Sequence, residues 1–354
     1  MDEARDAVMI SFPFAAGVAL AQFCPFSLFH YSLALTAVLM LLMLGGRLSG
    51  RVWFALLFAA IGLLCGEVRG DSFASPGIAG GLPGRALART DALIRGIPFA
   101  HGSTNELLRA LLTGQRDGLS RETVTAFRAA GASHILALSG LHLGIIYLII
   151  GKILSLLGNG RIMAPVRSGL IIAACAFYAL MTGAAPSIVR ALLFITLNEV
   201  LRHFPGRRKS PLAIWCCALL IQLAACPWVI SSLGFQLSYL AMLGIFVFFP
   251  RLDAFYPRPE KGWSLMKWTW SSMALSFSCQ VFTAPLVWLR FRTFPQHFLL
   301  TNLIALPLTS ILMFSAVACM AHSAIDICPG WMVRAVDTLA CALQDCLSII
   351  AALN

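Results

Sequence analysis

The chain has 354 residues, of which 59% are hydrophobic and only 12% charged, and its formal net charge is +11. Soluble domains carry roughly 25% charged residues, so this composition excludes an ordinary soluble domain and points to an all-α, polytopic helical membrane protein. In such a protein a basic excess reports first on Lys and Arg in cytoplasmic loops, and is not by itself a sign of nucleic-acid binding.

Apolar runs near the length needed to span a bilayer occupy 8–28, 31–44 and 52–66. No cleavable leader is expected, because the first run follows Asp2, Glu3, Arg5 and Asp6 rather than a basic segment. From 67 to 128 the chain carries charge, Gly and Pro, and up to Ser103 it reads as loop. Ser103 and Thr104 with Glu106 start an amphipathic helix with Leu107, Leu108, Leu111 and Leu112 on one face. Ser120 with Glu122 opens a second, through Ala130. Such helices are expected on the membrane surface or over a channel mouth. Further apolar segments follow at 141–157, 168–181, 187–204, 212–230, 233–249, 270–289, 298–320 and 331–353. The total is about eleven membrane segments, with Pro186, Pro285 and Pro307 suggesting kinks or re-entrant ends. The expected domains are 1–70, N-terminal membrane helices; 71–132, an external loop with amphipathic helices; and 133–354, a membrane channel domain.

Basic residues set the orientation. Arg47 and Arg51 form one group, then Lys152, Arg161 and Arg167, then Arg202, Arg207, Arg208 and Lys209, then Arg251, Arg258, Lys261 and Lys267. A cytoplasmic N-terminus puts all four groups on the cytoplasmic side, against a lesser outside pair at Arg290 and Arg292.

The residues 133–144, SHILALSGLHLG, place His134 and His142 around Ser139-Gly140 within an apolar run. Polar groups at membrane depth normally face a protein interior or a water-filled cavity. Gly131, Gly140 and Gly144 mark sites for a backbone break or a close helix approach. The stretch therefore reads as the wall or neck of a polar path, against the plainer reading of a packed helix with satisfied histidines. Arg190, in GAAPSIVRALLF, is the sharpest intramembrane charge, either lining a path or snorkelling to the boundary near Pro186. Gln236, Gln280 and Asn302 are intramembrane amides that fit either a common polar interior or bundle hydrogen bonds.

Ser139 and His142 could pair as nucleophile and base, but no orienting carboxylate lies near them in sequence and no GxSxG elbow exists. No HExxH or Walker signal is present, so no metal and no cofactor is expected, and the chain is expected not to be an enzyme. Asp337 and Asp345 are the only later carboxylates placed to share a face, which is thin support for a metal site. The eleven cysteines lack metal-ligand spacing and read as small apolar side chains.

FRAAGASHILALSGLHLG resembles the signature of the ComEC-type competence proteins, inner-membrane channels that take up transforming DNA. ALLTGQRDGLS upstream, then GAAPSIVRALLF, SLGFQLSYLAMLG and NLIALPLTSILM, continue the resemblance in order, from about Leu107 onward. The resemblance makes 133–354 a competence-type channel domain and implies transport of single-stranded DNA across the bacterial cytoplasmic membrane, the N-terminus being cytoplasmic. It carries over His134, Ser139, Gly140, His142, Gly144, Pro186, Arg190, Gly234, Gln236 and Asn302 as motif positions; with Gln280 these include the candidates for the DNA path. The expected partners are single-stranded DNA, membrane lipid, the DNA-uptake machinery, a separate nuclease, a cytoplasmic motor or single-strand-binding protein, and a second copy of the chain. Full-length members commonly add an OB-like domain, for which 71–103 is too short, and a metallo-β-lactamase-like domain, not expected here. The competing expectation is a transporter of a small or lipid-linked solute with similar helix architecture, although the internal symmetry such transporters often show is not visible.

Overall fold

The computed structural model describes residues 2–24, 29–46, 50–67, 81–156, 160, 163–204, 210–256, 264–292, 295–325 and 327–353. Arg47, Arg161, Arg207, Arg208, Lys209, Arg258 and Lys261, on which much of the orientation argument rests, lie outside the described residues. Among the described residues the fold is helical. The helices in chain order are α1 (Asp2–Phe23), α2 (Phe29–Leu44), α3 (Arg51–Glu67), α4 (Leu82–Gly96), α5 (Gly102–Thr113), α6 (Arg121–Ala129), α7 (Ser133–Leu136), α8 (Gly140–Ser155), α9 (Met163–Met181) and α10 (Pro186–Leu201). Then come α11 (Pro211–Ala225), a 3₁₀ turn (Pro227–Ser231), α12 (Leu233–Ala254), α13 (Leu265–Phe291), α14 (Phe298–Ser323) and α15 (Gly330–Ala352). Among the described residues six helices are long and apolar enough to cross a membrane: α1, α9, α12, α13, α14 and α15. Shorter apolar helices include α2, α8 and α11, and every expected apolar segment coincides with a helix. The protein is a polytopic helical membrane protein.

The chain forms two compact units, whose boundaries fall within α10 and α12. The first comprises Met1–Pro76 and Val189–Met242. Here α1 lies along α3, because Gly17 and Gly62 leave no room for a Cβ against the carbonyls of Ala59 and Phe14. Gly62 and Gly66 stand four apart on α3, the small-residue spacing that lets helix backbones touch without a hydrophobic drive from lipid. Gln22 Nε2 donates to the Gly66 carbonyl at 2.8 Å and closes the same seam. On another side of α1, Phe12 meets Trp215 of α11 with ring centroids 5.9 Å apart.

The second unit comprises Gly77–Ile188 and Leu243–Asn354. Its core surrounds α5, whose residues Leu107 to Thr113 are all buried. Leu107, Leu108 and Leu111 pack with Leu312, Met313 and Ala316 of α14 and Val336, Ala340 and Leu343 of α15. Burial of one such leucine side chain contributes about 2 kcal/mol. Of the two expected places, the membrane surface or a channel mouth, this corrects the first: α5 is a central packing element, and α6 packs on α15 through Phe127.

A second correction concerns the stretch before Ser103, expected as loop, where α4 forms instead. Pro83 sits at its start, where a missing N–H costs nothing, and Ala86, Leu87, Ala88, Ala92 and Leu93 favour helix beyond it. The Gly/Pro cluster punctuates the entry to α4 and does not extend through it. Asp91 of α4 accepts from the Nε of Arg109 on α5 and, at 2.8 Å, from the Nε of Arg95. Burial raises the Asp91 carboxyl, but the two guanidiniums outweigh that effect and hold it below the usual carboxylate range. The pair therefore stabilises the fold above about pH 4 and weakens as the pH falls through the lowered value. Arg109 keeps only 11% of its side chain exposed, against 61% for Arg95. Asp91→Ala is expected to cost about 3 kcal/mol by stranding Arg109, and Arg95→Ala at most about 0.5 kcal/mol, as read from thermal unfolding in detergent.

Candidate functional site

Three sequence motifs converge on one break in the chain. After α6, Gly131 adopts a left-handed conformation (φ +78°) and Ala132 N–H returns to the Phe127 carbonyl at 2.7 Å, a glycine-terminated helix end. A Cβ on Gly131 would collide with Pro295, and Thr301 Oγ1 of α14 donates to the Ala130 carbonyl at 2.7 Å. One helical turn follows as α7, and then the backbone extends at Ala137. α8 restarts after Ser139, so the break falls at 137–139, and Gly140 is the first helical residue beyond it.

The carbonyl of Leu138, freed by the break, accepts from Ser187 Oγ at 2.7 Å. Ser187 belongs to the GAAPSIVR motif, at the start of α10. The turn before it holds Gly183 at φ +85° and Ala184 at φ +51°, the latter costing about 1 kcal/mol for a residue with a Cβ. The Leu138 side chain packs on Gly114, the left-handed cap of α5 in the ALLTGQ motif (φ +80°), where a Cβ would strike Leu138 Cδ1. Tyr178 of α9 donates to the Leu112 carbonyl at 2.9 Å in the same end of α5.

The restart of α8 explains both Ser139 and His142. Leu141 N–H donates to Ser139 Oγ at 3.2 Å, and Ser139 N–H donates to His142 Nδ1 at 3.1 Å. This is a capping box with histidine in the place usually held by Glu or Gln. The Ser139 hydroxyl also lies 3.0 Å from Nδ1. A nucleophile-base pair has its histidine oriented through the other nitrogen by a third group; here the described residues provide Nε2 with no partner. Because Nδ1 accepts a backbone N–H, the neutral ring carries its proton on Nε2. His142 is fully buried, so that donor points into the protein interior. Two acceptor-bearing groups on α14, which touches α8, are also buried without partners among the described residues: Asn302 Oδ1 and Thr309 Oγ1. Each such group costs about 1–3 kcal/mol unless water or a ligand meets it.

The remaining candidates are distributed differently. His134 is exposed and its Nδ1 lies 3.2 Å from the Gly131 carbonyl. Gly144 has open space where a Cβ would stand, as does Gly234. Gln280 is half-buried on α13. In the first unit, Gln236 Nε2 donates to the Ile230 carbonyl at 2.7 Å and secures the 3₁₀ turn. Arg190 is 8% exposed, with its guanidinium carbon 6.0 Å from the centre of the Tyr239 ring. Tyr239 in turn donates to Gln222 Oε1 at 2.9 Å and stacks with Phe235 at 4.5 Å. Thus GAAPSIVRALLF and SLGFQLSYL meet through a cation over an aromatic face. Asp345 is exposed whereas Asp337 is buried, so the two differ in environment. Sequence reasoning missed Gly114, Leu138 and Ser187 as a junction, although all three stand in or beside the quoted motifs.

The chain is 34% identical over 133 residues to ComE operon protein 3 of Bacillus subtilis, covering 38% of this chain and 17% of that protein. It is 30% identical over 138 residues to competence protein ComA of Neisseria gonorrhoeae, covering 38% of this chain and 20% of that one. It is also 27% identical over 218 residues to the uncharacterized protein YcaI of Escherichia coli, covering 59% and 28%. The chain thus matches less than a third of the length of each relative. No solved structure matches. Residues 111–354, which contain the break, its cap and the Gly114 and Ser187 partners, match the competence protein family, and the chain belongs to that family.

Proposed function

We propose that the chain is the membrane conduit through which one strand of DNA enters the cytoplasm during transformation, and that it passes the strand without cutting it. The observation that supports this best is the set of buried polar atoms without partners: His142 Nε2 at the capped restart of α8, and Asn302 Oδ1 and Thr309 Oγ1 on α14. A lipid-facing bundle gains nothing from them, whereas a hydrated path meets them with water and then with cargo. In this reading the protein lies in the bacterial inner membrane with its N-terminus cytoplasmic. It works with the DNA-uptake machinery, and strand removal and pulling fall to a separate nuclease and a cytoplasmic motor or single-strand-binding protein.

The test is passage of a fluorescent oligonucleotide into liposomes carrying the purified chain, together with transformation of a deletion strain complemented by variants. Single strands are expected to enter, duplex to be refused, and binding to weaken as salt rises. Arg190→Gln and Tyr239→Leu are each expected to lower passage by about tenfold, since a desolvated cation-ring contact is worth up to about 2 kcal/mol. Tyr239→Phe keeps the ring and is expected to retain most passage. Normal transformation of the deletion strain, or entry of small anions with no entry of DNA, would overturn the proposal in favour of a solute transporter.

A further inference from the structure

The sequence pairs Asp337 with Asp345 and offers no metal ligands. The fold pairs Asp337 with a residue 236 positions away: His101 Nδ1 stands 2.9 Å from Asp337 Oδ2. Cys341, one helical turn beyond Asp337 on α15, places its Sγ 3.5 Å from the same nitrogen. The ligating atoms of His101, Asp337 and Cys341 all lie within 4.8 Å of one another. Thr104 Oγ1 donates to the other carboxylate oxygen, Asp337 Oδ1, at 2.6 Å and fixes its orientation.

We propose that His101, Asp337 and Cys341 form a binding site for a transition-metal ion of the Zn²⁺ class, with the fourth position open to water. Bond lengths of about 2.0–2.3 Å in a tetrahedron set N···O at about 3.4 Å and N···S and O···S at about 3.6 Å; the observed N···O of 2.9 Å and N···S of 3.5 Å lie within about half an ångström of these, and the third edge is within 4.8 Å. Imidazole, thiolate and one carboxylate together suit a borderline ion and disfavour Mg²⁺ and Ca²⁺, which take oxygen ligands. The thiol gives up its proton to solvent on binding, so loading releases acid. Thr104 supplies the outer hydrogen bond that metal-ligating carboxylates commonly have.

Access follows from exposure: the His101 side chain is 62% open and that of Asp337 9%. Pro98, Ala100, His101 and Gly102, which connect α4 to α5, are exposed as well. At 1.5 Å per residue Asp337 lies about 10 Å from one end of α15 and about 22 Å from the other. With α15 spanning the membrane, an exposed, non-helical connection beside its interior calls for a water-filled recess. The ion would fasten this connection to α15 from inside that recess.

The experiment titrates the full chain, purified in detergent and stripped with chelator, with Co²⁺ and then Zn²⁺. The expected result is a thiolate-to-cobalt charge-transfer absorption that Zn²⁺ displaces. It should vanish in Cys341→Ser, persist in Cys346→Ser, and require at least about tenfold more Co²⁺ in His101→Ala and in Thr104→Val. Asp337 is buried and also holds Thr104, so the deciding variants are those of the exposed His101 and of Cys341. A wild-type chain that binds no cobalt, or an absorption that survives either Cys341→Ser or His101→Ala at full affinity, would overturn the assignment. The readout does not depend on DNA passage, so it stands apart from the proposed function.

Discussion

His142→Gln is expected to leave the protein folded and to slow strand passage. Glutamine is one of the usual residues at the third position of a capping box, so its side-chain oxygen can take the Ser139 N–H that His142 Nδ1 now accepts. Thermal stability in detergent should fall by no more than about 1 kcal/mol. Glutamine also carries an amide N–H2 donor, but on a flexible stem, so it does not hold that donor where the rigid ring holds Nε2–H, buried and directed inward. His142→Ala loses the cap, the packing and the donor together, and should cost about 3 kcal/mol. Unfolding measured by tryptophan fluorescence, beside oligonucleotide entry into liposomes, separates the two effects. Entry at the wild-type rate in His142→Gln would reduce His142 to a helix cap.

Gly114→Val should be the most damaging single change to the fold of the second unit. A β-branched residue resists φ +80°, at a cost of about 1–2 kcal/mol. Its Cβ also enters the volume of Leu138, and overpacking adds about 1–3 kcal/mol. The displaced Leu138 would pull its carbonyl from Ser187, so the damage reaches the start of α10. Leu138→Ala on the Gly114→Val background relieves the collision and leaves the backbone strain, so partial rescue is expected. Full additivity of the two changes in thermal unfolding would mean that Leu138 and Gly114 do not press on each other.

The membrane helices were legible because their signal is local: runs of apolar residues near spanning length need no partner to be recognised. The start of α6 was equally local, since Ser120 Oγ accepts from Thr123 N–H as its sequence suggests. The position of α5 was not, because an amphipathic face states that something covers it and not what. Its cover, α14 and α15, lies about 200 residues onward. The same distance hid His101 from Asp337. For Arg190 the sequence left path-lining and snorkelling open, and only packing reveals the Tyr239 ring beneath it. Of the three glycines, Gly131 follows the end of α6 and Gly140 opens α8, whereas Gly144 lies inside α8; Ser139 decided where the helix restarts, since a side chain that satisfies backbone N–H groups outweighs a residue that merely permits bending.

The burial of α5 also has a consequence for biogenesis. GSTNELLRALLT is too short and too polar to enter a bilayer on its own hydropathy. The helices that sheathe it are made about 200 residues after it, and at typical elongation rates of about 5–20 residues per second they emerge roughly 10–40 s later. For that interval Leu107, Leu108 and Leu111 have none of their final α14 and α15 neighbours. Membrane insertion of the early helices and completion of the second unit are thus separate events in time, and α5 docks as a later step, when α14 and α15 close over it.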